Sequence, residues 1–318
     1  MSEIGVVIVT YNSAAEIGAC LDAVLRTGAD VVVADNGSTD GTIAEIARRG
    51  VRLIANAANR GFAAAANQGF AALTSSYILL LNPDAVLASG LEPLREACDL
   101  PGAAGAGGQL VDDQGRPQIG FMVRGFPSAV TLSLEALLLN RIWPNNPVNR
   151  RYRCLGLDYS TPLVVEQPAG AFLMVRRAVW QELGGFDERF FPLWFEDVDF
   201  CRRAAGLGYR MHYAPEAVAN HTGAHSISSL TVEKRRFYWY RSLLWYAAKH
   251  CRPMPFRMVS LAVVTGSLLR AAAELVMHRS WKPAAAYGRA VRLAVRCLVF
   301  GRGEDVVLSG PQQVKLHG

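Results

Sequence analysis

The chain has 318 residues, 51% of them hydrophobic and 19% charged, and a mean hydropathy of +0.15: enough for one large domain plus an appendage, greasy for a freely diffusing protein, too polar for a multispan membrane protein. The net charge of +6 is unevenly spread, because Lys249 to Arg302 holds ten bases against Glu274 alone. That stretch carries +9 and leaves −3 for the remainder, so the basic character belongs to a C-terminal module.

The six cysteines form no C-x-x-C pair, which removes zinc-ribbon and redox motifs and suits ordinary thiols of a reducing compartment. The opening MSEIGVVIVTYN has an acid where a secretory leader needs bases, and its apolar run is short, so no cleaved leader is expected. GVVIVTYN reads as a buried strand ending in polar residues, and AAEIGACLDAVLRTG then spaces its apolar residues for a helix that glycine ends. VVVADNGSTDGT with TIAEIARRG repeats the pattern. VRLIANAANRGFAAAANQGFAAL repeats it again, and YILLLNPDA supplies a fourth strand.

Apolar strands alternating with helices predict an α/β fold with a mostly parallel, doubly wound sheet, whose ligands collect beyond the carboxyl ends of the strands. Thr10, Tyr11, Asn12, Asp35, Asn36, Asn56 and Asp84 all fall at such ends. Asp35-Asn36-Gly37-Ser38 can hydrogen-bond a ribose or a base, and it fits equally an Asx-turn that caps the next helix. Asn59-Arg60-Gly61-Phe62 resembles a tight turn before a helix whose free N–H groups could face a phosphate; an Ala-rich helix built for close packing is the other reading. GAAGAGGQL has Leu110 where a dinucleotide fingerprint needs its third glycine, which discounts a nicotinamide dehydrogenase.

In GGFDERFFPLWFEDVDFCRRAAGLGYR, Glu196, Asp197 and Asp199 fall in the first turn of a helix expected to stop at Gly206 and Gly208. Acids there complement the helix dipole, and Asp199 can pair with Arg202 or Arg203. Phe190, Phe191, Leu193, Trp194 and Phe195 form an aromatic wall just before them. A carboxylate at the rim of an apolar pocket keeps a raised proton affinity, as a general base for a sugar hydroxyl needs. His221 closes the run YAPEAVAN, so it is expected at a strand end near the crevice, although a lone histidine is more often structural than a ligand.

Between Arg257 and Arg270 lie only twelve uncharged residues, too few to span a bilayer, while Arg289, Arg292 and Arg296 recur on one helical face. Amphipathic helices on an anionic membrane surface are predicted, with a soluble helical cap over the sheet as the alternative. Nucleic acid is not an expected partner, because the body is acidic and carries no recognised nucleic-acid motif.

In chain order, VIVTYN, ADNGSTDGT, the N-x-G-F of residues 59–62 with Asn67, NPDA, GAFLMVRR, GGFDERFF, FEDVDFCRR and the H-x-x-x-H-S of His221 and His225 resemble family 2 of the GT-A nucleotide-sugar glycosyltransferases. The similarity covers residues 4–226 and is nearest to the bacterial rhamnosyltransferase branch. It implies that Thr10, Tyr11, Asn12 and Asp35 hold the base and ribose, and that Asn36, Gly37, Asn59, Gly61, Asn67, Asn82 and Asp84 complete the nucleotide-sugar site. It further implies that Asp84 holds a divalent metal, Mg²⁺ or Mn²⁺, with His221 as a further metal or diphosphate contact, that Asp197 is the catalytic base, and that Gly170, Ala171, Trp194 and Glu196 line the acceptor side. Asn82 replaces the first acid of the usual D-x-D, leaving one negative ligand fewer.

The activity implied is inverting transfer of a sugar, L-rhamnose from dTDP-rhamnose, to a glycan or polyprenyl-diphosphate-linked acceptor of the cell envelope. Other hexose or N-acetylhexosamine donors, and a catalytically silent nucleotide-sugar-binding scaffold, are the alternatives. A nucleotidyltransferase would want a basic, glycine-rich first loop, which TYNSAAE does not supply. The expected organisation is a catalytic domain over 1–226, a basic membrane-associating region over 227–302 and a tail over 303–318. The expected place is the cytoplasm, peripheral at the inner face of the plasma membrane, with a homodimer compatible.

Overall fold

The computed structural model describes residues 2–223, 231–278 and 282–308. β1 (Ile4–Thr10) pairs in parallel with β2 (Asp30–Asp35) on one side and with β4 (Tyr77–Leu81) on the other, and β3 (Arg52–Ala55) extends the sheet beyond β2. Between them run α1 (Ile17–Leu25), α2 (Thr42–Ala47) and α3 (Phe62–Ala72). The strands are uninterrupted apolar runs because helices cover the sheet: Val6, Val7, Ile8, Val32, Val33 and Leu79–Leu81 are fully buried. α3 lies close against the sheet: Ala63, Ala65 and Ala66 are fully buried, and a Cβ on Gly69 would sit 2.4 Å from Val7 Cγ1.

The other strands are β5 (Ala85–Leu87), β6 (Ala103–Val111), β7 (Val123–Arg124), β8 (Leu163–Val165), β9 (Gln167–Pro168), β10 (Phe172–Arg176) and β11 (Arg210–His221). The order β3-β2-β1-β4-β10-β6-β11-β5, with β8 added on β11, makes a nine-stranded sheet among the described residues; β7 and β9 form a separate two-stranded ribbon. β10 runs antiparallel between β4 and β6, so the sheet is largely rather than wholly parallel. The chain winds from β1 in both directions, and that reversal opens a crevice at the carboxyl ends of β1, β2 and β4.

The glycine-rich stretch discounted as a nucleotide loop is strand β6. A Cβ on Gly105 would lie 2.3 Å from Met174 O, and one on Gly108 would lie 2.2 Å from Phe172 Cε1 and 2.5 Å from Ala217 O. Gly108→Ala is therefore expected to lower stability by about 1–3 kcal/mol, read as an earlier thermal or urea midpoint; an unchanged midpoint would show that the sheet yields locally.

The remaining helices are α4 (Glu92–Asp99), α5 (Ala129–Ala136), α6 (Leu139–Ile142), α7 (Pro147–Tyr152), α8 (Arg177–Glu182), α9 (Glu196–Gly206), α10 (Val232–His250), α11 (Pro253–His278), α12 (Lys282–Phe300) and α13 (Glu304–Val307). The chain divides into one unit of Met1–Phe126 with Arg150–Ser229 and another of Pro127–Asn149 with Leu230–Gly318. Residues 127–149 thus join the C-terminal helices, which nothing in their sequence pattern had indicated. Within that second unit α11 crosses α5 so closely that a Cβ on Gly266 would lie 2.1 Å from Ala136 O. Glu274, the lone acid of the basic stretch, pairs with Arg236 at 2.7 Å and accepts the Tyr287 hydroxyl at 2.8 Å.

α11 continues through Arg257 and Arg270, and its Pro253–Val276 segment is long and apolar enough to cross a membrane by length and composition, with a third of its best window buried inside the protein. The twelve-residue limit drawn from the charges was too strict. Met254, Met258, Leu261, Leu268, Leu269 and Val276 leave an exposed apolar surface on this helix.

Candidate active site

At the carboxyl ends of β1 and β2, Thr10 and Asp35 stand in register, and Thr10 Oγ1 donates to Asp35 Oδ1 at 2.8 Å. Ser38 Oγ also donates to Oδ1, while the N–H groups of Gly37 and Ser38 donate to Oδ2 at 3.1 and 2.9 Å. Asp35 is fully buried and organises this turn. Asn12, with φ of 53°, accepts the Thr39 N–H at 2.8 Å and donates its own N–H to Ser38 Oγ, so the loops after β1 and β2 are laced together around Tyr11. Gly37 is required because φ is +77° and a Cβ would meet Ala58 Cα at 3.1 Å.

Asn36 Nδ2 donates to Gly61 O at 3.1 Å and joins this pair of loops to the turn before α3. In that turn Asn59 Oδ1 accepts the Gly61 N–H at 2.9 Å, and Phe62 N donates to Pro192 O at 2.7 Å. The first helical N–H of α3 is therefore spent on the aromatic loop. Asn67 is spent too: its carboxamide donates to Phe186 O and Glu188 and accepts from Trp180 Nε1 and Phe186 N, tying α3 to residues 180–188.

β4 ends at Leu81, and the Asn82-Pro83-Asp84 turn leads directly into β5. Register places Ala85 opposite His221 at the end of β11, which sets the two polar side chains side by side. Asp84 Oδ1 is buried without a hydrogen-bond partner among the described residues, and His221 Nε2 lies 3.6 Å from it. Burial holds the His221 imidazole below its usual pKa, against the opposing pull of Asp84. Its tautomer is set by Gln118: because Gln118 Nε2 donates to His221 O at 2.6 Å, Oε1 is turned to the ring and accepts from Nδ1 at 3.0 Å. Nδ1 therefore carries a proton, and Nε2 is the ring nitrogen turned toward Asp84. Phe121 stacks on the same imidazole, with centroids 5.2 Å apart and planes 12° apart. Gln118 and Phe121 lie in an irregular segment with no sequence signal of their own. His225 falls outside the described residues.

Across the crevice, Asp197 is half-buried at the start of α9. Its Oδ2 accepts the Gly170 N–H at 2.9 Å and Gln167 Nε2 at 3.2 Å, while among the described residues Oδ1 accepts only the Val198 N–H, at 2.8 Å. Gly170 lies so close to this carboxylate that a Cβ on it would meet Asp197 Cβ and Oδ2 at 3.1 Å, and Asp197 would have to give by a few tenths of an ångström to admit it. The next residue, Ala171, accepts the Asn82 N–H at 3.0 Å, so two consecutive residues tie the Asp84 turn to Asp197. Trp194 and Phe195 have φ of 79° and 73°, a left-handed conformation costly for bulky residues, immediately before Glu196 and Asp197. Asp199 forms the expected helix pair, with Arg203 at 2.7 Å.

The carboxyl with raised proton affinity is Glu196. Burial first, then the charges of Asp197 and Asp199, push its pKa well above the ordinary 4.5, and its Oε2 is buried with no partner among the described residues. An acid whose folded pKa is raised holds more protons folded than unfolded, so its effect on stability worsens as pH rises above the unfolded value. Glu196→Gln should thus leave stability unchanged near pH 4 and raise it progressively toward neutrality, measured as urea midpoints across pH. A pH-independent difference would contradict the raised proton affinity of Glu196.

Among the described residues no group of three or more His, Cys, Asp or Glu side chains gathers as a metal cage. The Asp84–His221 pair does fit a hard divalent ion that keeps waters and takes its other ligands from a phosphate.

Two family models match the chain: that for glycosyl transferase family 2 over residues 5–181, and that for a glycosyltransferase-like family 2 over residues 151–242. The chain is 33% identical over 242 residues to an N-acetylglucosaminyl-diphospho-decaprenol L-rhamnosyltransferase of Mycobacterium tuberculosis, covering 70% of this chain and 76% of that one. It is 28% identical over 175 residues to rhamnosyltransferase WbbL of Escherichia coli, covering 54% and 62% respectively. In fold it is similar to the mannosyltransferase PcManGT of Pyrobaculum calidifontis, solved with GDP-Man and Mn²⁺ (TM-score 0.51, 19% identity, 96% of this chain and 85% of that one). GalNAc-T7, solved with UDP, GalNAc and Mn²⁺, is similar too (TM-score 0.52, 15% identity, 79% and 51%). With the crevice, its carboxylates and these similarities together, the chain belongs to glycosyl transferase family 2 and is a glycosyltransferase of the GT-A fold.

Proposed function

We propose that this enzyme transfers L-rhamnose from dTDP-rhamnose, with inversion, to a sugar carried on a polyprenyl diphosphate in cell-envelope polysaccharide synthesis. The observation that carries the reading is one crevice with two unlike carboxylates: buried Asp84, with an oxygen that has no hydrogen-bond partner among the described residues and faces the His221 ring, and half-open Asp197, held by Gly170 and Gln167. The choice of rhamnose and of a diphosphate-linked acceptor follows the names of the Mycobacterium tuberculosis and Escherichia coli relatives.

Thr10, Tyr11, Asn12, Asn36 and Gly37 shape the nucleoside end, with Asp35 holding the turn, and Asn59, Gly61 and Asn82 lead to the diphosphate. Asp84 and His221 would hold a Mg²⁺ or Mn²⁺ ion, and such an ion supplies Lewis-acid stabilisation of a leaving diphosphate. Asp197 Oδ1, with a lone pair left open, takes the proton of the acceptor hydroxyl as its oxygen bonds to the anomeric carbon. The bond to the nucleoside diphosphate breaks on the opposite face. Glu196 and the Trp194 ring orient the acceptor sugar beside Gly170 and Ala171.

The exposed apolar surface of α11, with Arg257 among its residues, supports attachment to the inner leaflet of the plasma membrane, where the lipid-linked acceptor resides. The test is nucleotide release from a panel of sugar donors, dTDP-rhamnose among them, with and without Mn²⁺ and a membrane lipid extract. Release from dTDP-rhamnose that requires the lipid supports the reading. Release from another donor alone replaces the sugar, and hydrolysis independent of lipid removes the acceptor class.

A further inference from the structure

We propose that Arg124, with Arg153 beside it, is the binding site for the diphosphate of the lipid-linked acceptor. The inference rests on the acceptor class proposed above and adds the group that recognises it.

Arg124 is half-buried, and among the described residues no carboxylate pairs with it. Its Nε donates to Gly120 O at 2.9 Å, and Arg153 Nη1 reaches the same carbonyl at 3.3 Å, so two guanidinium groups converge on one oxygen. The Arg124 guanidinium carbon lies 5.5 Å from the Phe121 ring centre and 5.8 Å from that of Tyr152. These contacts hold the fork in place while leaving it a full charge to offer. A planar fork of N–H donors fixed by aromatic faces is suited to phosphate oxygens.

The position fits the chemistry. Arg124 stands opposite Gln167 in the β7–β9 ribbon, and directly opposed residues of an antiparallel pair project to the same face. Gln167 is the residue that holds Asp197, so the guanidinium emerges on the side of the base. On its other flank Phe121 stacks on His221 of the donor-side pair. An acceptor whose sugar hydroxyl meets Asp197 carries its diphosphate one pyranose ring away, on the side from which the lipid arrives. Ile119 and Phe121, 50% and 36% exposed, offer apolar surface beside Arg124 for the first isoprene units.

The test uses the full chain and three soluble acceptor probes: N-acetylglucosamine linked to a short prenyl chain through a diphosphate, through a monophosphate, or directly as the alkyl glycoside. Calorimetric affinities are measured for wild type, Arg124→Gln and Arg124→Lys, alongside thermal midpoints to confirm folding. The expected result is that wild type favours the diphosphate probe. Arg124→Gln should lose about ten- to a hundredfold of that preference, Arg124→Lys less, with affinity for the alkyl glycoside and KM for the nucleotide sugar unmoved.

The assignment is overturned if Arg124→Gln weakens all three probes equally, if it leaves the diphosphate preference intact, or if wild type shows no such preference. Failure of wild type to transfer sugar to the diphosphate probe counts against the proposed activity instead, since the binding comparison does not depend on turnover.

Discussion

Asp197→Asn is expected to reduce sugar transfer by about a thousandfold while leaving nucleotide-sugar affinity within a factor of two or three, within the range a positioned general base contributes. The Gly170 N–H and the Gln167 amide both donate to Oδ2. An asparagine must therefore turn its carbonyl oxygen toward them, which places its NH₂ where Oδ1 stood. That NH₂ faces the Val198 N–H, donor against donor, and can take no proton from a hydroxyl. The substitution thus removes the base without removing volume. Single-turnover transfer and equilibrium binding of the donor separate the two effects. Retention of more than a tenth of wild-type transfer would place the base elsewhere, and equal loss of donor binding would make Asp197 a donor-site residue.

The fold of the first hundred residues was legible because each buried strand ends at a polar turn and each helix follows with 3.6-residue spacing. VVIV, VVVA and ILLL can be little else once helices stand between them. The carboxyl-end rule put Thr10, Asp35 and Asp84 at the ends of strands, and in the structure Thr10 and Asp35 stand in register while Asp84 follows the adjoining β4 by three residues. What could not be read was which of these side chains the protein spends on itself. Asp35 and Asn67 each satisfy their hydrogen bonds within the chain, and those partners lie in turns whose geometry no local pattern encodes. The raised carboxyl was foreseen at the aromatic wall, but only burial distinguishes Glu196 from its neighbour. Gln118 and Gln167 were missed for a related reason: each sits in an irregular or two-residue element, and each acts on a residue thirty or more positions away.

Asp84→Asn is expected to separate stability from activity. Its Oδ1 is buried beside His221 with no hydrogen bond among the described residues, an arrangement that costs folding free energy unless a ligand supplies a partner. Removing the charge should leave the ligand-free thermal midpoint unchanged or higher, whereas loss of a packed core group would lower it. In wild type, Mn²⁺ with a nucleoside diphosphate should raise the midpoint through binding to the folded state alone, and Asp84→Asn should abolish that rise together with transfer. Gln118→Leu provides the graded case. It removes the hydrogen bonds that fix His221 but neither side chain of the pair, so it should weaken Mn²⁺ about ten- to a hundredfold, as read by paramagnetic resonance titration without turnover. An Asp84→Asn protein that still shows the full Mn²⁺-dependent rise would place the ion on other residues. A Gln118→Leu protein with wild-type Mn²⁺ affinity would reduce the His221 clamp to packing. If both hold as expected, the aliphatic strand that ends in Asn82-Pro83-Asp84 keeps a carboxylate in a buried position because its partner arrives only with the substrate.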